Sequence, residues 1–452
     1  MKQYLLLING ENKDSKIKQD IINPSNGEAI ARVSFADKDH IEKAISSARN
    51  AFDKGSWKTF PLEKRKEFLL KISQGILENA QELAELESLN SGKPIKETTF
   101  MDIPSAAKTF EYFANNLEHL LQPETINIDS QISSVRAGLF YEPRGVTVLI
   151  VPWNYPLLIA CWKLAQSLAA GNTVILKPAS LTPLSALKLG EIIQGTGLPE
   201  GVVNIIAASG DSSGQALCSD KRIDMISFTG SNSVGKKIID YTSKNVKKLL
   251  IELGGKSASI ILEDADLEAA VNTSLCSIFL NQGQMCTAMS RIFIQDSIYD
   301  KFIADFVEKA KKIKIGPAMD FQTQIGPLIS LKQRETVSKF VERAKSEGAR
   351  VLCGGNIPGD TELKKGFFFE PTVLAEASLS SEIFQQEVFG PVALVGRFKT
   401  ESEAVELANK SDFGLAGCIF SQDKDRAGKI AAQLDSGTIW INTYGMFFEQ
   451  LP

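Results

Sequence analysis

Histidine is nearly absent from this chain: His40 and His119 are the two among 452 residues. That leaves little room for a histidine-ligated metal site or a histidine-based catalytic triad, and no metal site is expected. The six cysteines, at positions 161, 218, 276, 286, 353 and 418, form no CxxC pair and no short secreted framework. They read as reduced thiols of a cytoplasmic protein. Neither sign of charge dominates, since 50 Lys and Arg face 54 Asp and Glu for a net charge of −4. The basic footprint of a nucleic-acid binder is therefore missing. No apolar run approaches the roughly 18 residues of a membrane span, and even the stretch 157–168 carries Lys163. The N-terminal run Leu5–Ile8 stops at Asn9-Gly10, short of a signal-peptide core of ~7–15 residues. There is also no GxGxxG, so a dinucleotide site here must be of a non-standard kind.

What remains is ordinary globular composition, 43% hydrophobic and 23% charged, in a length that fits two or three domains. The first 120 residues are mostly helical in pattern, with helices predicted from Asp37 to about Phe52, from Pro61 toward Gly75 and from Ala80 to Ser91. From residue 138 the texture changes to short β-branched runs at 145–151, 173–176, 202–206, 224–228 and 248–251. Helical patterns lie between them, at 157–169 and 183–194. That alternation predicts βαβ units in a doubly wound parallel sheet. A second α/β unit follows, with a helix over 266–279, another over 330–347, and strands at 292–294, 351–353, 367–373, 392–398, 417–420 and 438–442. Open α/β sheets bind ligands beyond the carboxyl ends of their strands, so the chemistry is sought there.

Several segments qualify. Phe228-Thr-Gly230-Ser231 through Gly235-Lys236-Lys237 matches GxxxxGK of a P-loop, but Lys237 stands where the magnesium-holding Ser or Thr belongs. Gly230 still permits close backbone approach, and the following helix N-terminus favours a phosphate, whether of ATP or of a dinucleotide. Cys286 follows the helix stop at Gly283 and sits on a connection; a helical turn beginning after it would favour the thiolate. The other five cysteines read as small buried hydrophobes. Glu252 ends an apolar strand before Gly254 and Gly255. Either it is buried, where desolvation suits a general base near pH 7, or it faces solvent. Asn154, where a strand gives way to a helix, either aims its amide at an oxyanion or caps the helix. Lys177-Pro178 places a cation at another strand's carboxyl end, and Gln386-Glu387-Val388-Phe389-Gly390-Pro391 stands in the second half.

Taken together, these segments resemble the NAD(P)-dependent aldehyde dehydrogenase superfamily. Its cysteine signature is similar to 279–290, its glutamate signature to Ile251–Ser257, and PWN, KP, FTGS and EVFGP follow in the family's order. The resemblance implies an aldehyde oxidised to its acid, with Cys286 forming a thiohemiacetal and then a thioester. Asn154 and the Cys286 N–H would stabilise the oxyanion, and Glu252 would activate the thiol or the deacylating water. It implies NAD held by Lys177 and Glu387 on the ribose hydroxyls, Ser231 on the pyrophosphate and Phe389 near the nicotinamide ribose. Pro152, Trp153, Ser180, Gly210, Phe228, Gly230 and Leu253 would complete the cofactor site. It further implies a Rossmann-like cofactor domain over 1–250 with a helical N-terminal layer and an excursion at about 120–137 used in oligomerisation. A catalytic α/β domain would span 251–430, and 431–452 would return to the cofactor domain.

Three departures qualify the resemblance. Ser180 replaces the glutamate that NAD-preferring members commonly carry, so NADP is expected to be tolerated. Tyr155 and Trp162 resemble the cation-gripping aromatic box of betaine aldehyde and aminoaldehyde dehydrogenases, yet Leu280 stands where a further tryptophan is often found. A generic aliphatic or aromatic aldehyde is the alternative to a cationic one, and Tyr155 and Trp162 would then only line an apolar tunnel. Lastly, the chain stops at Pro452, where family members continue into a tail that walls the tunnel and joins a neighbour's sheet. The expectation is a homodimer or homotetramer when the tail is present, and weakened assembly or an inactive NAD-binding homologue without it. A cysteine esterase without net redox is the remaining alternative.

Overall fold

The structure, a computed structural model, describes residues 1–128 and 135–451. The chain divides into two compact units. The first comprises Met1–Ile21, Ala29–Glu87 and Thr98–Glu252, and the second comprises Ile22–Glu28, Ser88–Glu97 and Leu253–Pro452.

The first unit is built on a seven-stranded sheet in the order Lys248–Glu252, Met225–Thr229, Val146–Ile150, Thr173–Lys177, Val203–Ile205, Leu6–Ile8, Glu11–Lys13. The first five strands run parallel. Helices Pro156–Ala169, Leu184–Gly195, Gly210–Ser219 and Asn232–Thr242 make the crossovers. Central strands such as Thr173–Lys177 are buried at every position, whereas the edge strand Lys248–Glu252 alternates between exposed and half-buried. That contrast is what burial on two faces against an open edge produces. The strand order reverses direction at Val146–Ile150: its successor lies on one side, and Met225–Thr229 returns on the other. This is the topological switch point where such sheets hold ligands.

The second unit has its own seven-stranded sheet: Arg350–Cys353, Thr372–Ala375, Val392–Phe398, Arg291–Gln295, Ala258–Ile261, Ala416–Phe420, Thr438–Ile441. Only the first pair is antiparallel. Its core packs Phe279, Phe302 and Phe306 from two helices against Ile292 and Ile294. The helix Leu267–Phe279 starts at Asp266, whose side chain accepts from the Ala269 N–H, the usual N-cap solution.

The architecture is the expected α/β class, but several expectations need correction. The first 35 residues are not helical; they hold five short strands, two of which extend the first sheet through Ile205↔Leu7. Three of the five have only three residues, too short to show a periodicity. The expected strand at 367–373 contracts to Thr372–Ala375. Phe368 and Phe369 are buried, but the backbone there bonds to loops, with Phe367 N–H donating to Pro24 O and its carbonyl accepting from Leu328 N–H. The strand Ala258–Ile261 went unread behind Gly254-Gly255. Residues 431–452 do not return to the first unit, because Thr438–Ile441 pairs with Ala416–Phe420. Within the excursion at about 120–137, Glu124–Ile126 pairs with Ala137–Leu139, and 129–134 lie outside the described residues. Among the described residues, no helix is long and apolar enough to cross a membrane.

Candidate active site

In the first unit, four adjacent strand ends gather most of the residues singled out from sequence. Glu252 closes the edge strand, Gly230 and Ser231 follow the next, Asn154 follows the third and Lys177 closes the fourth. The Gly230 N–H donates to Glu252 O at 3.1 Å, and the Val151 N–H donates to Lys177 O at 3.2 Å. A side chain at Gly230 would run into the Phe228 ring, so glycine is required for this close turn. Ser231 is the N-cap position of Asn232–Thr242 but does not cap it; its hydroxyl lies 3.1 Å from that of Ser233. Gly210 likewise opens a helix whose N-cap, Ser209, makes no side-chain cap, and the space beside Gly210 is open.

Asn154 is buried and stands one residue before the N-cap position, which is Tyr155. Tyr155 and Trp162 are half-buried, at the start of that helix and about two turns along it. Pro152, Trp153 and Ser180 are half-buried on the loops after two of the strands. Lys177 is buried, and burial pulls its ammonium down to about 8, with the nearby Cys218 thiol acting the other way. Glu252 is exposed, so of the two readings open from sequence the solvent-facing one holds. Its strand is the sheet edge.

Sequence reasoning missed Lys163. Its Nζ donates to Ser227 Oγ at 2.7 Å, and burial lowers it to about 8 against the opposing charge of Glu252. The signal was present, since a lysine interrupts the apolar stretch 157–168; it served only to exclude a membrane span.

The second unit assembles the remaining motifs around Cys286. The helix Leu267–Phe279 ends at Leu280, and the next residues take left-handed backbone: Asn281 (φ 48°), Gln282 (φ 57°) and Gly283 (φ 69°). A non-glycine residue there costs roughly 1–2 kcal/mol. Cys286 follows on a tight turn that leads to the strand Arg291–Gln295, with no helix after it. The expected helix dipole is therefore not what addresses the thiol.

Gly255 lies under the Cys286 carbonyl, and a Cβ on it would collide with that oxygen. A Cβ on Gly254 would likewise strike Glu387 Oε2, while the Gly255 N–H donates to Glu387 Oε1 at 3.2 Å. Burial pushes the Glu387 carboxyl up to about 7, with the Gly255 N–H and Lys256 working against that rise. Phe389 is held at φ 54°, its carbonyl accepting from Gln333 Nε2 at 2.9 Å. Leu253 and Leu280 are half-buried in this unit.

Lys256 was also missed. It is fully buried, and its Nζ has no hydrogen-bond partner among the described residues. Burial, then the neighbouring Arg291, pushes it down to about 7. It lies inside the quoted glutamate motif, yet a lysine after two glycines gives no sequence sign of burial. Among the described residues, no group of three or more His, Cys, Asp or Glu is arranged to hold a metal ion.

Comparison with known proteins finds relatives along nearly the whole chain. The profile of the aldehyde dehydrogenase family matches residues 11–452. The chain is 43% identical over 449 residues to betaine aldehyde dehydrogenase of Bacillus subtilis, covering 99% of this chain and 91% of that one. It is 41% identical over 456 residues to human retinal dehydrogenase 2, covering all of this chain and 86% of that one. The crystal structure of Staphylococcus aureus betaine aldehyde dehydrogenase in complex with NAD+ superposes with a TM-score of 0.96 at 40% identity, over 99% of this chain and 88% of that one. A family profile that matches almost the whole chain, with relatives above 40% identity over nearly its full length, places this protein in the aldehyde dehydrogenase family.

Proposed function

We propose that this chain oxidises a trimethylammonium or amino aldehyde to its carboxylic acid with NAD+, NADP+ being tolerated. The observation that carries the reading is the seating of the Cys286 carbonyl on Gly255 and of the Glu387 carboxylate on Gly254 and the Gly255 N–H. It sets the peptide that bears the thiol and a buried carboxylate on adjacent glycines of one segment. The first unit supplies residues that fit a dinucleotide: the buried Lys177 cation at a strand end, the close turn at Gly230, and the uncapped helix start at Ser231. NAD(P), when bound, supplies the acceptor for the hydride that a thiohemiacetal must lose to become a thioester. In this reading Lys177 and Glu387 hold ribose hydroxyls, and Ser180, with no carboxylate to repel a 2′-phosphate, admits either cofactor.

The chain's own residues do the remainder. The Cys286 sulfur adds to the aldehyde carbon, and the resulting oxyanion takes hydrogen bonds from the Asn154 amide and the Cys286 N–H. Glu252 accepts a proton from the water that attacks the thioester; the C–S bond breaks and the sulfur leaves as thiolate. Solvent exposure suits Glu252 to that second role, since the proton must finally reach water. Tyr155 and Trp162 support a cationic substrate through their aromatic faces, and the likeness to betaine aldehyde dehydrogenases points the same way. The 41% identity to retinal dehydrogenase 2, with Leu280 outside any aromatic box, favours a generic apolar aldehyde as the second reading.

The test is absorbance at 340 nm with NAD and NADP separately, against betaine aldehyde, 4-aminobutyraldehyde, propanal and benzaldehyde. Cationic aldehydes should give the higher kcat/KM, NADP should retain more than about 0.01 of the NAD value, and Cys286→Ala should abolish reduction. Reduction that survives in Cys286→Ala would refute the mechanism. A ranking led by propanal or benzaldehyde would move the substrate to the second reading.

A further inference from the structure

The left-handed turn before Cys286 needs something to hold it, and the structure supplies a side chain from far along the chain. The Asn281 N–H donates to Glu97 Oε2 at 3.1 Å, across 184 residues of sequence. Glu97 belongs to Ser88–Glu97, a short piece of chain that lies in the second unit. Its neighbour Gly92 takes a further bond, from Gln282 Nε2 at 3.2 Å. Within the turn, the Gln284 N–H donates to Asn281 O at 2.9 Å, and Asn281 Nδ2 donates to Gln284 O at 3.2 Å. Asn281, Gln282, Gln284 and Glu97 are all buried. A buried N–H must be paired, and in left-handed backbone the preceding helix does not supply its acceptor.

We propose that Glu97 is a positioning residue for Cys286: its carboxylate accepts the Asn281 N–H, fixes the turn Asn281–Gly283, and so sets the direction in which the nucleophile leaves it. From Gly283, which packs so closely on Gly390 O that a Cβ there would collide, two residues lead to Cys286, whose own carbonyl rests on Gly255. The cysteine is thus fixed on its own peptide by Gly255 and upstream by Glu97. The role belongs to the acceptor's position, and its charge is incidental. The inference rests on Cys286 being the nucleophile.

Its test therefore reads the thiol directly, without aldehyde turnover: peptide-resolved alkylation of Cys286 by iodoacetamide between pH 6 and 9, beside kcat and the NAD dissociation constant. Glu97→Gln keeps an acceptor oxygen at the same reach and should stay within about three-fold of wild type. Glu97→Ala removes the acceptor, and Glu97→Asp keeps the charge but draws it back by one methylene. Both should slow alkylation and kcat roughly 10- to 100-fold, with the NAD dissociation constant within about two-fold. Should Glu97→Ala fail to fold, the comparison of Asp with Gln decides alone. The proposal is overturned if alkylation in the Asp variant matches wild type, if Gln is as damaging as Asp, or if kcat falls while alkylation does not. Oxidation surviving in Cys286→Ala would instead remove the nucleophile reading on which the proposal stands.

Discussion

At the scale of single residues, two glycines carry a division of labour that substitution can separate. Gly255→Ala forces a methyl against the Cys286 carbonyl and should lower kcat on the order of 100-fold, since a displacement of about 1 Å costs that much. Gly254→Ala strikes Glu387 instead, so it should raise the KM for NAD with a smaller effect on the rate of Cys286 alkylation. Equal kinetics in the two variants would show that the carbonyl and the carboxylate are not independently seated. The sequence exposed both glycines as turn formers, but their van der Waals neighbours, Cys286 31 residues after Gly255 and Glu387 133 residues after Gly254, follow from tertiary packing alone. The same holds for Glu252, whose solvent exposure depends on its strand lying at the sheet edge, a matter of topology.

At the scale of elements, long amphipathic helices with a polar first residue were legible to within one or two positions. The helix predicted over 266–279 forms at Leu267–Phe279, and that over 330–347 at Leu331–Ser346, each behind an N-cap side chain. The parallel strands were equally plain, because burial on both faces demands continuous apolar runs. What escaped were elements decided by their partners: the short N-terminal strands, and an aromatic stretch at Phe367–Phe369 whose backbone bonds to loops. The left-handed turn escaped for the same reason, since Asn281 and Gln282 are held there by Glu97 and Gly92. The cap at Asp266 gives a control against these specific effects. Asp266→Ala loses the bond to the Ala269 N–H and should cost about 1 kcal/mol in urea unfolding while leaving kcat unchanged. A fall in kcat without loss of stability would mean the helix start is coupled to Cys286.

For the whole molecule, three buried lysines set an expected pH dependence. Burial lowers Lys163 and Lys177 to about 8 and Lys256 to about 7. Between those values and the ordinary 10.5 the unfolded chain binds more protons than the folded one, so stability rises with pH. Glu387, raised to about 7, acts oppositely: its contribution is lost as pH climbs from 4.5 to 7. Cys218 and Cys418, raised to about 11 and about 12 by burial, flatten the trend above pH 9. The apoprotein should therefore gain about 1–3 kcal/mol between pH 7 and pH 8.5. Urea titrations at the two pH values, giving equal or lower stability at 8.5, would show that the lysines are neutralised by other means.

The interleaved course of the chain also has a consequence in time. Glu97 leaves the ribosome 184 residues before Asn281, and at ~5–20 residues per second that is a delay of roughly 10–40 s. Throughout it, a carboxylate destined for burial waits in water while the whole parallel sheet ending at Glu252 is made. The turn Asn281–Gly283 therefore cannot take its held form until the strands of the first sheet have been made. A nascent chain halted before Asn281 would carry every strand of the first sheet and lack Cys286.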